Sequence, residues 1–151
     1  LLSGMLSHPY FAALPPKTTG RELFGKAYAD AWMKRMREAG LRPEDIIATF
    51  TALTARTIAQ GYRDFVLPCH TIEEVVISGG GAHNRTLLRM LSELLPEQRV
   101  RTSGSLGVSD DAKEAICFAL FGNNLLHGET NNLPSATGAL KPTVMGKLAL
   151  P

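Results

Sequence analysis

The sequence has little of what defines disulfide-stabilised, membrane or nucleic-acid-binding proteins. Its 151 residues include two cysteines, too few for a disulfide framework. No apolar run approaches the roughly 20 residues of a membrane span, and Leu1 to Leu6 lack the charged leader and cleavage site of a signal peptide. The formal charge of +2 gives no strong field for nucleic acid. We therefore expect a cytoplasmic protein that binds neither nucleic acid nor membrane.

Several catalytic patterns are also missing. The histidines are scattered and Cys69-His70 lacks metal-site spacing, so no metal site is expected. Gly25-Lys26 and Gly146-Lys147 are not followed by Ser or Thr, which excludes a Walker A loop. No arrangement of residues suggests a Ser or Cys nucleophile. Any activity must therefore depend on other features.

The hydrophobic pattern predicts an α/β domain with helix in excess. Hydrophobic residues make up 44% of the chain and charged residues 20%, as in globular proteins. After a loop at Pro15–Gly20, the predicted elements are a helix over Tyr28–Ala39 ended by Gly40, a helix from Pro43 to about Gly61, a strand at Val75–Ile77, a helix carrying Leu87, Leu88, Leu91, Leu94 and Leu95 up to Pro96, a strand at Arg99–Thr102 and a helix over residues 110–127. Trp32, Met33 and Met36 are expected in the core.

The last predicted helix is apolar on two faces. Ile116 and Leu120 lie on one face, and Phe118, Phe121 and Leu125 lie on the other. A helix that is apolar nearly all round is usually buried on both sides. We therefore expect residues 110–127 to lie inside the domain.

A glycine-rich turn follows the first predicted strand. Gly79, Gly80 and Gly81 come directly after the strand, and His83 and Asn84 precede a helix. Glycines let a ligand approach the backbone, and the N–H groups of a helix start favour an anion or a polar ring. The alternative is a tight turn in which Asn84 is only the N-cap. The residues favour ligand binding, although Asn84 fills the third glycine place of a dinucleotide fingerprint.

Glu114 is the second candidate for a binding role. It lies in the first turn of the last predicted helix, where a carboxylate can accept hydrogen bonds from sugar hydroxyls. The alternative is structural, because Asp111 and Glu114 have the spacing of a variant capping box and both favour the helix dipole. Without further information, the structural alternative is the stronger of the two.

Four segments carry a resemblance to a known family. They are Tyr10-Phe11 with Pro15-Pro16-Lys17-Thr18-Thr19-Gly20-Arg21-Glu22-Leu23-Phe24, then Ser78-Gly79-Gly80-Gly81-Ala82-His83-Asn84, then Glu114-Ala115-Ile116-Cys117-Phe118-Ala119-Leu120, and Asn132-Leu133-Pro134-Ser135-Ala136-Thr137-Gly138-Ala139. In this order they resemble segments of the anhydro-N-acetylmuramic acid kinases. They cover nearly the whole chain, and together they are far more specific than any one alone.

The resemblance implies a fold and a role for each candidate. The family is similar to actin-like ATPases, so residues 1–151 would form the ribonuclease H-like C-terminal lobe of a two-domain kinase. ATP and Mg²⁺ would be the cofactors, with Gly79, Gly80, Gly81, His83 and Asn84 at the nucleotide and Glu114 at the sugar. The reaction would open the 1,6-anhydro ring of anhydro-N-acetylmuramic acid and phosphorylate O6, in cell-wall recycling. The partners would be this sugar, an N-terminal lobe and a second copy in a homodimer.

Departures from the family pattern limit this expectation. No segment here resembles the family's phosphate-binding glycine loop or its water-activating aspartate, which belong to the N-terminal lobe. We therefore expect the catalytic residues in that lobe and no kinase activity from this chain alone. One alternative is a stand-alone nucleotide-binding or regulatory module. Another is a dehydrogenase-type domain, for which Glu97 would be the nearest acidic ribose ligand but lies beside Pro96, past the helix.

Overall fold

The computed structural model describes residues 1–149, which are rich in helix and contain a small sheet. The α-helices are α1 (Leu2–Leu6), α2 (Pro9–Ala12), α3 (Arg21–Phe24), α4 (Lys26–Glu38), α5 (Pro43–Gly61), α6 (Arg85–Leu94), α7 (Lys113–His127) and α8 (Pro134–Thr137). The strands β1 (Glu74–Ile77) and β2 (Arg99–Thr102) pair in parallel, and α6 lies between them in sequence. The predicted α/β class with helix in excess is confirmed.

The chain divides into two compact units. The first, here called the helical unit, comprises Leu1–Val76 and His83–Arg101. The second, here called the tail unit, comprises Ile77–Ala82 and the described residues from Thr102 onward. The predicted strand at Val75–Ile77 and the one at Arg99–Thr102 are both present.

The core of the helical unit forms where α1, α4 and α5 meet. Met5, Met36, Ile46 and Leu53 are its buried residues. Tyr28, Trp32, Met33, Phe50 and other partly buried side chains pack around them. The apolar spacing of α4 and α5 places these side chains on facing sides, and burial of each contributes roughly 1.5–3 kcal/mol. The predicted core position of Met36 is confirmed.

The boundaries between α4 and α5 follow from local chemistry. Gly40 has φ +77°, and the Leu41 N–H donates to the Met36 carbonyl oxygen at 3.0 Å, as in a Schellman end. Pro43 occupies the first position of α5, where the missing N–H costs no hydrogen bond. The Arg42 side chain bonds to Asp45 and lowers the pKa of that carboxyl.

Helix α6 packs against α5 through one apolar face. Leu87 and Leu91 are buried in α6, and Leu95 is buried directly after it. The helix ends at Leu94, two residues before Pro96, as the sequence predicts. In the same unit, Glu74 of β1 pairs with Arg101 of β2 at 3.1 Å.

The predicted burial of the last helix is wrong. Helix α7 starts at Lys113 rather than at residue 110 and contains no buried residue. Its Phe118 side chain is 72% exposed and Leu126 is 69% exposed. The apolar pattern of this helix indicates that other parts of a folded protein should pack against it. The described residues of the tail unit do not do so. Sequence reasoning also missed the short helices α1, α2, α3 and α8 and the π-helical segment Tyr62–Val66, which are too short to show a period.

Adjacent isoleucines in α5 provide a test of this core. Ile46 is 6% exposed and Ile47 is 68% exposed. We expect Ile46→Ala to lower the free energy of unfolding by roughly 2–5 kcal/mol, because it leaves a cavity. Ile47→Ala is the matched control and should change it by less than about 0.5 kcal/mol. Urea unfolding followed by Trp32 fluorescence measures both, and equal effects of the two substitutions would contradict the assigned core.

Candidate functional site

The glycine-rich turn begins with a residue whose backbone requires glycine. After β1 the chain enters a 3₁₀ turn over Gly79–His83. Gly79 has φ +72°, a conformation that side chains with a Cβ rarely adopt. Its N–H donates to the carbonyl oxygen of Asp110 at 2.7 Å. The turn is therefore tied to the loop that precedes α7.

Asp110 also organises its own loop. Its Oδ1 accepts hydrogen bonds from Ser103 Oγ and from the Gly104 N–H, both at 2.7 Å. A Cβ on Gly104 would lie 2.9 Å from the Asp110 carboxylate, so glycine is what permits this approach. Sequence reasoning assigned Asp110 no role. The signal was a run of Ser and Gly residues closed by Asp, which is typical of side-chain-stabilised turns.

The backbone at Gly80 is open to a ligand. Gly80 is exposed, and a Cβ built on it would meet no heavy atom within 4 Å. Within residues 1–149, Gly80 therefore has no steric reason to be glycine. A ligand that lies against the backbone would supply that reason.

The helix start that follows belongs to the helical unit. Asn84 is the N-cap of α6, and its Oδ1 accepts the Leu87 N–H at 3.0 Å. The predicted capping role is confirmed, and it is compatible with ligand binding because the cap uses only the amide oxygen. The side chains of His83 and Asn84 are exposed. Their assignment to a nucleotide stays a prediction.

Glu114 lies in the first turn of α7 and is exposed. The N-cap of α7 is Ala112, whose side chain has no acceptor, so the variant capping box with Asp111 as N-cap is not formed. Glu114 remains favourably placed for the helix dipole. The carboxylate is exposed and accessible to a ligand, and its role at a sugar stays a prediction.

Lys17 and Thr19 line a cleft in the helical unit that sequence reasoning missed. The cleft has a volume of about 480 Å³ and aromatic walls that include Phe24 and Tyr28. Lys17 Nζ donates to the carbonyl oxygens of Tyr10 and Phe11, at 3.2 and 3.0 Å. It also lies 4.7 Å from the ring centroid of Phe65. These contacts give Lys17 a structural role as a tie between loop and helix.

Metal and membrane features are limited within residues 1–149. In that range no three His, Cys, Asp or Glu side chains are grouped so as to hold a metal ion. None of the described helices is both long enough and apolar enough to span a bilayer.

Fold and turn together define an α/β protein with an open glycine turn at the carboxyl end of a strand, where such folds bind ligands. The family model described as "Anhydro-N-acetylmuramic acid kinase" matches residues 1–150. The chain belongs to this family. It is 44% identical over 149 residues, 99% of the chain, to the anhydro-N-acetylmuramic acid kinase of Caldanaerobacter subterraneus subsp. tengcongensis. It is 45% identical over 151 residues, 100% of the chain, to that of Salinibacter ruber.

The chain spans only 38% of the length of each of these two curated relatives. The resemblance stated from the sequence is confirmed at the level of the family. The dehydrogenase alternative loses its support, because Glu97 lies in the turn between α6 and β2 and the chain belongs to a kinase family.

Substitution of Asp110 tests how the loop is held. Asp110→Ala removes the acceptor of the Gly104 N–H, so we expect that amide to exchange its hydrogen at least about tenfold faster, as for a lost hydrogen bond of about 1.4 kcal/mol. Asp110→Asn keeps the Oδ1 acceptor and is the matched control, with exchange close to wild type. The exchange rate of the Gly104 amide, measured by NMR in both variants and in the wild type, checks this prediction. Unchanged protection of Gly104 in the alanine variant would show that another contact holds the loop.

Proposed function

We propose that this chain is the C-terminal lobe of an actin-like, ATP-dependent anhydro-N-acetylmuramic acid kinase. The observation that carries the proposal is the family match over residues 1–150, at 44–45% identity to kinases of which the chain spans 38%. The whole activity then belongs to a longer polypeptide. The cytoplasmic location expected from the sequence is part of this proposal, because ATP is a cytoplasmic cosubstrate.

The glycine turn is the proposed nucleotide site. Gly80 is exposed and its missing Cβ leaves the backbone approachable. Gly79 and Gly81 flank it, and His83 and Asn84 close the same short segment. Backbone N–H groups suit a polar ring or a phosphate without a side-chain charge. The loop held by Asp110 fixes the entry of this turn through the Gly79 N–H.

Mg²⁺ is proposed to enter with the nucleotide. Residues 1–149 offer no group of three acidic or histidine ligands, and Mg²⁺ is commonly held by one or two carboxylates together with substrate phosphates. The fit to this chain is therefore through ATP rather than through a dedicated protein cage. When bound, Mg²⁺ would neutralise charge on the transferred phosphoryl group.

Glu114 is the proposed sugar-binding residue. Its carboxylate is exposed at the start of α7 and can accept hydrogen bonds from two hydroxyls. In the proposed reaction a water oxygen bonds to C1 as the C1–O6 bond breaks. O6 then bonds to the γ-phosphorus as the bond to ADP breaks, and one proton is released. Glu114 would position the sugar for these steps and would not exchange atoms with it.

A stand-alone binding module without activity is the alternative retained from the sequence. It predicts that the chain folds stably by itself. No feature of the described residues favours it over the kinase lobe, and the homodimer expected from the resemblance also stays a prediction.

A fused protein tests the proposal. Residues 1–150 replace the matching part of the Salinibacter ruber kinase, and release of ADP is followed with ATP, Mg²⁺ and anhydro-N-acetylmuramic acid. We expect an active enzyme, whereas the 151-residue chain alone should give no turnover. Glu114→Gln should raise KM for the sugar at least about tenfold, the effect of a lost charged hydrogen bond, and leave KM for ATP unchanged.

A second substitution tests the nucleotide site. Gly80→Val should raise KM for ATP at least about tenfold. A steric conflict of about 1.4 kcal/mol between the valine side chain and the nucleotide is enough for a tenfold loss of affinity. Gly61→Val is the matched control, because a Cβ at Gly61 also meets no atom within 4 Å. An inactive fused protein that folds, or equal ATP affinity in the two variants, would contradict the proposed function.

A further inference from the structure

The tail unit exposes apolar side chains that a folded domain normally covers. Of the sixteen exposed large hydrophobic residues within residues 1–149, twelve lie in the tail unit. The buried residues of the described tail unit are Ala82 and Ser103. A unit that buries so little cannot offset the entropy of ordering its chain. Contiguous exposed apolar surface of this kind marks a site of interaction.

Helix α7 carries the centre of this surface. From Ala115 to Leu126 it has no charged residue, and Phe118, Leu120 and Leu126 are 72%, 57% and 69% exposed. We define Phe118 and Leu126 as the α7 surface, because Leu120 lies on the side of the helix opposite Phe118. The sequence pattern predicts that this helix is buried. In the structure, these apolar side chains are instead exposed to solvent.

One flank of α7 already has a partner within the tail unit. Asn131 Nδ2 donates to the carbonyl oxygens of Phe121 and Met145, each at 3.2 Å. Leu125 is half-buried, and a Cβ on Gly146 would lie 2.9 Å from it. The tail segment therefore covers α7 around Leu125, near its C-terminal end, whereas Phe118, seven residues earlier on the same side, stays exposed.

The chemistry of α7 narrows the choice of partner. A helix that lies on a membrane surface carries Lys and Arg along a polar face, whereas the charged residues and the histidine of α7, namely Lys113, Glu114 and His127, lie at its ends. An uncharged apolar surface fits a protein surface of the same kind. The rest of the kinase polypeptide is the candidate source of that surface, because this chain spans only 38% of the length of the curated relatives.

We infer that the α7 surface is the contact face for the part of the kinase polypeptide that lies outside the matched region. This inference rests on the proposed function. Glu114 and Phe118 are four residues apart and so share one side of the helix. The packing that covers Phe118 thus sets the position of the proposed sugar-binding carboxylate. It gives a physical reason, beyond missing catalytic groups, why this chain needs the rest of the kinase.

Hydroxyl-radical footprinting tests the inference on two proteins, the 151-residue chain and the fused protein described above. Oxidation of Phe118 and Leu126 should be at least about tenfold slower in the fused protein, because burial removes the side chains from solvent. Equal oxidation rates in the two proteins would overturn the inference. Protection that rises with the concentration of the isolated chain would overturn it in favour of a second copy.

A variant pair gives an independent readout. Phe118→Asp should lower the Tm of the fused protein by at least about 5 °C and leave that of the isolated chain within about 1 °C, since surface substitutions are nearly neutral. Ile47→Asp, on the helical unit, is the matched control for an exposed apolar residue. An active fused protein with unprotected Phe118 contradicts this inference alone. An inactive one with protected Phe118 contradicts the proposed function alone.

Discussion

The tail unit depends on the hydrogen bonds made by Asp110. Its carbonyl oxygen takes the Gly79 N–H, and its carboxylate takes Ser103 Oγ and the Gly104 N–H. A single residue therefore joins the glycine turn to the loop that leads into α7. Each bond contributes only about 0.5–1.5 kcal/mol. In a unit with so few buried side chains, these bonds do more to fix the structure than packing does.

The two units are held together by different kinds of interaction. The helical unit closes a core around Met36 and Ile46, with aromatic side chains packed at its edge. The tail unit holds its backbone by hydrogen bonds, those of Asp110 and those of Asn131, and leaves apolar side chains in solvent. This difference is what a chain that spans 38% of its relatives' length would show if one unit were complete and the other shared its core with absent polypeptide.

The candidate site residues differ in how far a structural role alone accounts for them. Asn84 does cap α6, so its presence in the sequence has a structural cause and is weak support for a ligand. Gly80 is different, because it is exposed and no heavy atom of residues 1–149 lies within 4 Å of the place of its missing Cβ. Glu114 is different as well, since Ala112 rather than Asp111 is the N-cap. The proposed kinase chemistry therefore rests more on the exposed Gly80 backbone and the exposed Glu114 carboxylate than on Asn84.

The sequence by itself determined the helices and strands that have a sustained hydrophobic pattern or clear residues at their ends. Helices α5 and α6, both strands and the Gly40 helix end were predictable because capping, proline and glycine effects act within a few residues. It also determined the family, through four segments in order. Only the tertiary structure decided that Asp110 holds the glycine turn, that Lys17 ties a loop, and that α7 is exposed. The roles of Asp110 and Lys17 depend on contacts with residues that are distant in sequence. The exposure of α7 depends on which surfaces pack against the helix, and a local apolar pattern does not show that.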